Sequence, residues 1–163
     1  MSINVWQKRR SKIKGFLNQI YSYGLLRHTP LQTAVLKKQI VNEKIDRCHV
    51  GCGYVQLDGW LNVLYEKREE YGRLIRRGKA FVLNYNLLAP WPVPDETIRF
   101  VAGSHFIEHL DLNDGIQFLK ECRRVIKSGG LIRLSCPDLE IYARHYVDRN
   151  QDFFNQKLIH SWG

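Results

Sequence analysis

Apolar runs of four to six residues, spaced by polar and helix-compatible stretches, set the pattern from residue 48 onward. Cys48-His49-Val50 breaks into Gly51-Cys52-Gly53, and further apolar runs fall at 60–64, 80–84, 98–103 and 131–135. Each is short enough for a buried strand. Between the last two, residues 113–127 carry a helical pattern with Ile116, Leu119 and Ile126 as its buried stripe. Asp111 or Asn113 can cap that helix and Gly129-Gly130 can stop it. Residues 139–147 predict another helix, with Pro137 near its first position. Residues 66–77 lack strand alternation and are rich in helix formers, with Tyr71, Leu74 and Ile75 available for packing, which predicts a helix there. Residues 84–97, with Pro90, Pro92 and Pro94, cannot form a regular helix or a central strand and predict a loop. Strands alternating with helices imply an α/β fold whose parallel sheet binds ligands outside the carboxyl ends of its strands. The loop at 84–97 falls where the wall of such a site belongs.

The first 46 residues differ in kind. Residues 5–23 have helical periodicity, with Ile13, Phe16, Leu17 and Ile20 on one face and Lys8, Arg9, Arg10, Lys12 and Lys14 crowding the first turns. A second helical pattern follows Pro30, with Leu31, Val35, Leu36, Ile40 and Val41 as its apolar face; Gly24 and residues 28–30 separate the two. The predicted organisation is a basic helical arm over residues 1–46 and an α/β domain over 47–163.

Charge sharpens that division. The chain of 163 residues has a formal net charge of +9. Residues 1–47 hold a net +8 and residues 48–163 a net +1. The basic character therefore belongs to the arm, which disfavours nucleic acid as a partner of the α/β body. A basic amphipathic helix can pack its apolar face on the body, lie on an anionic membrane surface, or contact nucleic acid. The chain has no apolar run of about eighteen residues that would span a bilayer. Cys48, Cys52, Cys122 and Cys136 show no paired spacing and read as small hydrophobes in or beside apolar elements. A reducing cytoplasm fits them, with the arm as a means of peripheral membrane contact, and no metal site is expected.

Four segments in order carry a resemblance. His49-Val50-Gly51-Cys52-Gly53, residues 91–95 (Trp-Pro-Val-Pro-Asp), Ser104-His105-Phe106-Ile107-Glu108-His109-Leu110, and Lys127-Ser128-Gly129-Gly130 with residues 134–138 together resemble class I S-adenosylmethionine-dependent methyltransferases. The type 11 group, which includes members associated with polysaccharide gene clusters, is the nearest in pattern, and the resemblance covers residues 47–148. It implies a Rossmann-like, mostly parallel sheet, S-adenosyl-L-methionine as cofactor, and methyl transfer to a small-molecule or glycan-type acceptor. The implied cofactor contacts are His49, Gly51, Cys52, Gly53, Asn86, Leu87 and Ser104, with Asn86 facing the adenine edge. Residues 106–109 would begin a helix lining the substrate mouth, with Glu108 and His109 near the substrate. His105 is the candidate base, since an imidazole titrates near neutrality.

The sequence also departs from that pattern. Leu64 stands where the family ends its second strand with a ribose-binding acid, and Glu66 follows two residues later. His49 replaces an acid in the glycine motif, and Arg99 replaces one before the fourth strand. Only residues 54–59 separate the first two predicted strands, fewer than the dozen that a parallel crossover normally takes. After Val147 sixteen residues remain, too few for the family's last two strands. The fifth strand is then expected to be an edge that a partner chain or the N-terminal helices would cover. Three rival readings follow. His105-x-x-Glu108-His109 matches an inverted zinc-peptidase motif with Glu121, Asp138 or Glu140 as formal third ligand, but it sits after a buried strand in a methyltransferase-like order. A dinucleotide fold would want glycine where Gln56 stands. A non-catalytic methyltransferase-like remnant or interaction module is the third.

Overall fold

The computed structural model describes residues 30–65 and 70–160. The predicted arm helix at 5–23 and Glu66 lie outside these residues. Helix α1 (Pro30–Asn42) leads into β1 (Arg47–Val50), β2 (Leu61–Leu64), β3 (Leu74–Arg77), β4 (Ala80–Asn84) and β5 (Ile98–Ser104). A single 3-10 turn (Ile107–His109), α2 (Leu112–Val125), β6 (Ile126–Ser135), α3 (Leu139–Val147) and α4 (Gln151–His160) complete the order. The strands form one sheet in the order β3-β4-β2-β1-β5-β6. All neighbours are parallel except β3, which runs antiparallel to β4. The α/β class, the five predicted strands and their mostly parallel arrangement are present, with one strand more than expected.

Side chains alternate across a strand, so register fixes two distinct faces. Cys48 and Val50 of β1 align with Leu61 and Val63 of β2, and these with Phe81 and Leu83 of β4. This face holds the core, joined by Phe118, Cys122 and Val125 of α2 and by Leu36 and Ile40 of α1. The segment before residue 47 thus contributes to the same core as the α/β body. Only Leu36 and Ile40 of the predicted α1 face are buried, whereas Leu31, Val35 and Val41 stay exposed. The opposite face is mixed: His49, Asn62 and Asn84 share it with Leu64, Val82 and Ile75.

Asn62 explains how β1 and β2 connect without a crossover helix. Its side chain is fully buried. The amide nitrogen donates to the carbonyls of Leu57 (3.0 Å), Trp60 (3.0 Å) and Phe81 (3.1 Å). Its oxygen accepts from the Leu57 N–H at 2.8 Å and lies 3.3 Å from Nδ1 of His49. One side chain therefore ties the link at 51–60 to both β2 and β4, replacing by hydrogen bonds what a helix would supply by packing. The predicted six-residue link becomes ten because β1 ends at Val50 and β2 begins at Leu61.

Several expectations need correction. Residues 74–77 are a strand, not a helix, because a tight turn at Gly78-Lys79, with Gly78 at φ 61°, folds them back onto β4. Helix α2 buries Phe118, Cys122 and Val125 with Glu121, and leaves Ile116 and Leu119 more than two-fifths exposed. It stops at Val125, before the glycines, and β6 begins at once; residues 127–130 bulge out between the Ile98–Ile126 and Phe100–Leu131 pairs. The cap is Asp111, whose carboxylate accepts from the Asp114 N–H at 2.9 Å. The helix expected over 139–147 is α3, capped by Asp138, whose carboxylate accepts from the Glu140 N–H at 2.9 Å, with Pro137 just before it. The far edge of β6 pairs with no strand among the described residues, and Leu131 and Ile132 on it are exposed.

Asn62→Leu keeps the branched shape but removes a donor from three carbonyls and the acceptor of the Leu57 N–H, while the Leu57 and Trp60 carbonyls keep the Trp60 and Phe81 N–H groups. It should cost about 2–4 kcal/mol, read as a lower urea midpoint with an unchanged slope. A loss below about 1 kcal/mol would mean the link is held by other contacts.

Candidate active site

The carboxyl ends of β1, β2, β4, β5 and β6 share one rim, as parallel strands must. At the β1 end the chain turns through Gly51 (φ 61°) and Gly53 (φ 50°), conformations that side chains with a Cβ rarely adopt. The two glycines serve different ends. A Cβ on Gly51 would lie 2.6 Å from the Phe106 ring, so the protein's own Phe106 covers that backbone. Phe106 in turn packs on Phe118, with ring centroids 5.1 Å apart. Gly53 has nothing within 4 Å of where a Cβ would stand, so its backbone is open to a ligand. Between them Cys52 is buried and its N–H donates to the Val63 carbonyl at 3.2 Å.

Beside Gly53 lies a furrow with about 80 Å³ of free volume, on the face of the sheet that carries Asn84. Leu64, Ile75 and Val82 form its apolar floor, and Gly53, Tyr54, Gln56, Glu70, Arg77 and Asn84 its polar surround. Leu64 is thus at the site, as the tip of β2 must be, and brings no side-chain acceptor. Glu70, which the sequence reading passed over, brings a carboxylate to the same furrow. Its signal was present: an acid just before a strand that a hairpin turn returns to β4.

The wall at 85–97 is held by a polar network. Arg124 reaches from α2 to Glu121 through Nε (3.1 Å) and a terminal nitrogen (2.7 Å), and donates to the carbonyls of Trp91 (3.0 Å) and Val93 (2.9 Å). It also pairs with Asp95. Glu121 accepts from the Trp91 N–H at 2.6 Å. Burial pushes the Glu121 carboxyl up, but the Arg124 guanidinium and the Trp91 N–H outweigh burial and leave it below the usual glutamate range. Glu121 is therefore fully engaged as a structural anion. The same network gives Trp91 and Pro92 their buried positions.

The residues singled out from sequence divide as follows. His49 sits within β1 beside Asn62, below the rim. Leu87 is a core residue whose carbonyl accepts from Trp91 Nε1 at 2.9 Å. Asn86 is at the rim, but its side-chain oxygen accepts from the Leu88 N–H at 3.0 Å, so that atom is engaged by its own turn. Ser104 ends β5 and its hydroxyl accepts from the Ser135 hydroxyl at 3.0 Å. His105 follows with φ 52°, its N–H held by the Ser135 carbonyl at 3.0 Å and its ring exposed. Nδ1 of His105 lies 3.6 Å from Glu108. Glu108 and His109 belong to an isolated 3-10 turn, not to the start of a helix, because α2 begins only at Leu112. His105 precedes that turn, so the two histidines do not share one α-helical face as the zinc-peptidase pattern requires. Among the described residues no cluster of three or more His, Cys, Asp or Glu is arranged to hold a metal ion. Cys48, Cys52 and Cys122 are buried, and burial pushes the Cys122 thiol up to about 12, so it is inert packing; Cys136 is exposed. No helix among the described residues is long and apolar enough to cross a membrane.

The sequence profile described as "Methyltransferase domain" matches residues 48–134, more than half of the chain. Two curated relatives from Mycobacterium tuberculosis carry the name "Probable S-adenosylmethionine-dependent methyltransferase": Rv3030 of strain H37Rv and MT3114 of strain CDC 1551. Each is 33% identical over 44% of this chain and 29% of its own length. A solved structure of a candidate S-adenosyl-L-methionine-dependent methyltransferase from Methanococcus maripaludis has a TM-score of 0.42 at 11% identity, covering 88% of this chain and 74% of that one. The chain belongs to the methyltransferase domain family. It spans about three-tenths of the length of the curated relatives it matches.

Because the Glu121 carboxyl titrates below its unfolded value, its contribution is complete above the ordinary glutamate range and is lost as the pH falls through the lowered folded value. Arg124→Met should therefore cost about 2–3 kcal/mol at pH 7, since Arg124 is only partly buried. The deficit should shrink as Glu121 protonates. Denaturant melts at pH 7 and pH 3 check both parts; a deficit independent of pH would contradict the assignment.

Proposed function

We propose that the chain binds S-adenosyl-L-methionine at the carboxyl rim and transfers its methyl group to a small-molecule or glycan-type acceptor. The observation that carries this reading is the open, left-handed Gly53 at the β1 tip, beside a furrow with an apolar floor and a polar surround. Bare main chain at that point suits a flat or branched ligand pressed against the backbone. Apolar Leu64, Ile75 and Val82 beneath it suit the ring of a nucleoside. The glycine motif falls at this rim, and membership of the methyltransferase domain family supports a cofactor of this class.

When bound, the cofactor supplies an already activated sulfonium methyl group. The protein's task is then to hold the acceptor in line with that methyl and to exclude water. His105 is positioned for proton handling at Nε2: its peptide is pinned to β6 by the Ser135 carbonyl, and Glu108 faces its other ring nitrogen. A histidine held at positive φ on a rim is the kind of backbone outlier that clusters at functional sites. Nε2 of His105 would take the proton of a hydroxyl acceptor as that oxygen bonds the methyl carbon, the carbon–sulfur bond breaking with its electron pair left on sulfur as a neutral thioether. The rival module reading draws on Phe106, which already covers Gly51, and on Leu64, which withholds an acceptor from the site.

Thermal melts with S-adenosylhomocysteine separate the two. At ten times Kd, ligand linkage adds about 1.4 kcal/mol, a rise of roughly 3–6 °C for a domain of this size. Absence of a shift at millimolar ligand would favour the module. Gly53→Ala adds the sharper control. The free protein should lose only about 1 kcal/mol, because there is space for the methyl but positive φ resists it. The ligand-induced shift should largely vanish, since the added Cβ stands where the ligand would lie.

A further inference from the structure

Helix α3 has two apolar sides, and only one of them is matched. Tyr142 and His145 pack on Phe153 of α4, with ring centroids 5.4 Å and 3.9 Å apart. Leu139, Ala143, Tyr146 and Val147 share another side at helical spacing. That side is open: Leu139 is 80% exposed, Tyr146 and Val147 each 77%, and Ala143 is exposed with them. Among the described residues, no residue of α3 is buried. A helix of nine residues does not persist in water on its backbone hydrogen bonds alone. The contact with α4 therefore leaves α3 under-supported. Along the edge of the open side, Arg144 pairs with Glu140 one turn earlier, both side chains well exposed.

We infer that the open side of α3 is a docking surface for a second copy of this chain, the two α3 helices packing antiparallel about a two-fold axis near Ala143. The charges select this occupant. A flank with one acid and one base a turn apart is its own complement when reversed. Glu140 of each copy then comes beside Arg144 of the other, and the four groups form a ring of alternating charge. Such an interface is isologous, so one patch serves both copies. Ala143, with a single methyl group, lets the helices approach at the axis, while Leu139 of each copy meets Tyr146 and Val147 of the other. The antiparallel arrangement also sets the two helix dipoles head to tail. Four side chains are far fewer than the roughly 20–30 residues a side of a standard interface, so the dimer forms reversibly and depends on concentration. The contact requires no bound cofactor.

Sedimentation equilibrium on the intact chain, from low micromolar to several hundred micromolar, tests this. The parent should pass from monomer to dimer across that range. Ala143→Glu sets like charges against each other at the axis and should weaken association roughly tenfold or more. Ala143 is exposed, so this variant should melt within about 1 °C of the parent at the lowest concentration. Glu140→Arg should weaken association about fivefold, as two exposed pairs are lost by symmetry. Adding Arg144→Glu to it should restore association to within about twofold of the parent, because the alternating ring forms again. A pair that served only α3 itself would shift the melt of the monomer and leave association unchanged. A parent that stays monomeric throughout overturns the inference. So does a dimer that Ala143→Glu and Glu140→Arg both leave intact, which would place the contact on another face, such as the free edge of β6.

Discussion

The buried amide of Asn62 is the constraint on which the rim depends. Five polar atoms of residues 49, 57, 60 and 81 converge on one side chain inside the sheet. Without it, the Leu57 N–H would lose its acceptor and the Leu57, Trp60 and Phe81 carbonyls would each lose a donor, at a cost of about 1–3 kcal/mol for any such group left unpaired. With it, the chain can leave β1 at Val50, pass through two left-handed glycines and re-enter the sheet within a short distance. The open backbone at Gly53 exists because the link behind it is tied down.

A second lock acts from the other side. Glu121 and Arg124 are one helical turn apart on α2 and bind the Trp91, Val93 and Asp95 segment of the proline-rich loop. That loop runs along the core rather than over solvent, so its peptide groups need fixed partners, and the arginine supplies several donors in one plane. Between these two locks, His105 and Glu108 stand exposed at the surface of the rim. Rigid framework and adjustable surface groups are thus segregated, as a binding site on a sheet edge requires.

Much of this was legible in the chain itself. Five strands, the glycine turn, the loop at 84–97 and the helix after Asp111 follow from apolar runs and from proline and glycine placement, which act locally. Three features were not. Strand β3 is too short to show alternation, and Gly78-Lys79 is the only local sign of its hairpin. The buried face of α2 was misplaced by about a third of a turn, because Phe118 and a salt-bridged Glu121 outcompete Ile116 and Leu119 for the interior. Asn62 looks like an ordinary polar residue in a strand; its role appears only when Leu57, Trp60 and Phe81 are brought around it. At the site, the rim positions of Gly53, Ser104 and His105 follow from strand ends, whereas Leu87 and His49 turn inward or sideways through tertiary packing that sequence spacing does not encode. Phe106 over Gly51 and Glu70 beside Leu64 are likewise contacts between distant segments.

The central claim is that the rim between β1, β2 and β4 is a ligand site with Gly53 as its open backbone. A crystal structure grown with S-adenosylhomocysteine tests it most directly. The account predicts ligand density against the main chain of residues 53–54 and over Leu64, with Asn62 and its partners unmoved. An empty furrow at saturating ligand, or ligand bound away from this rim, would contradict it.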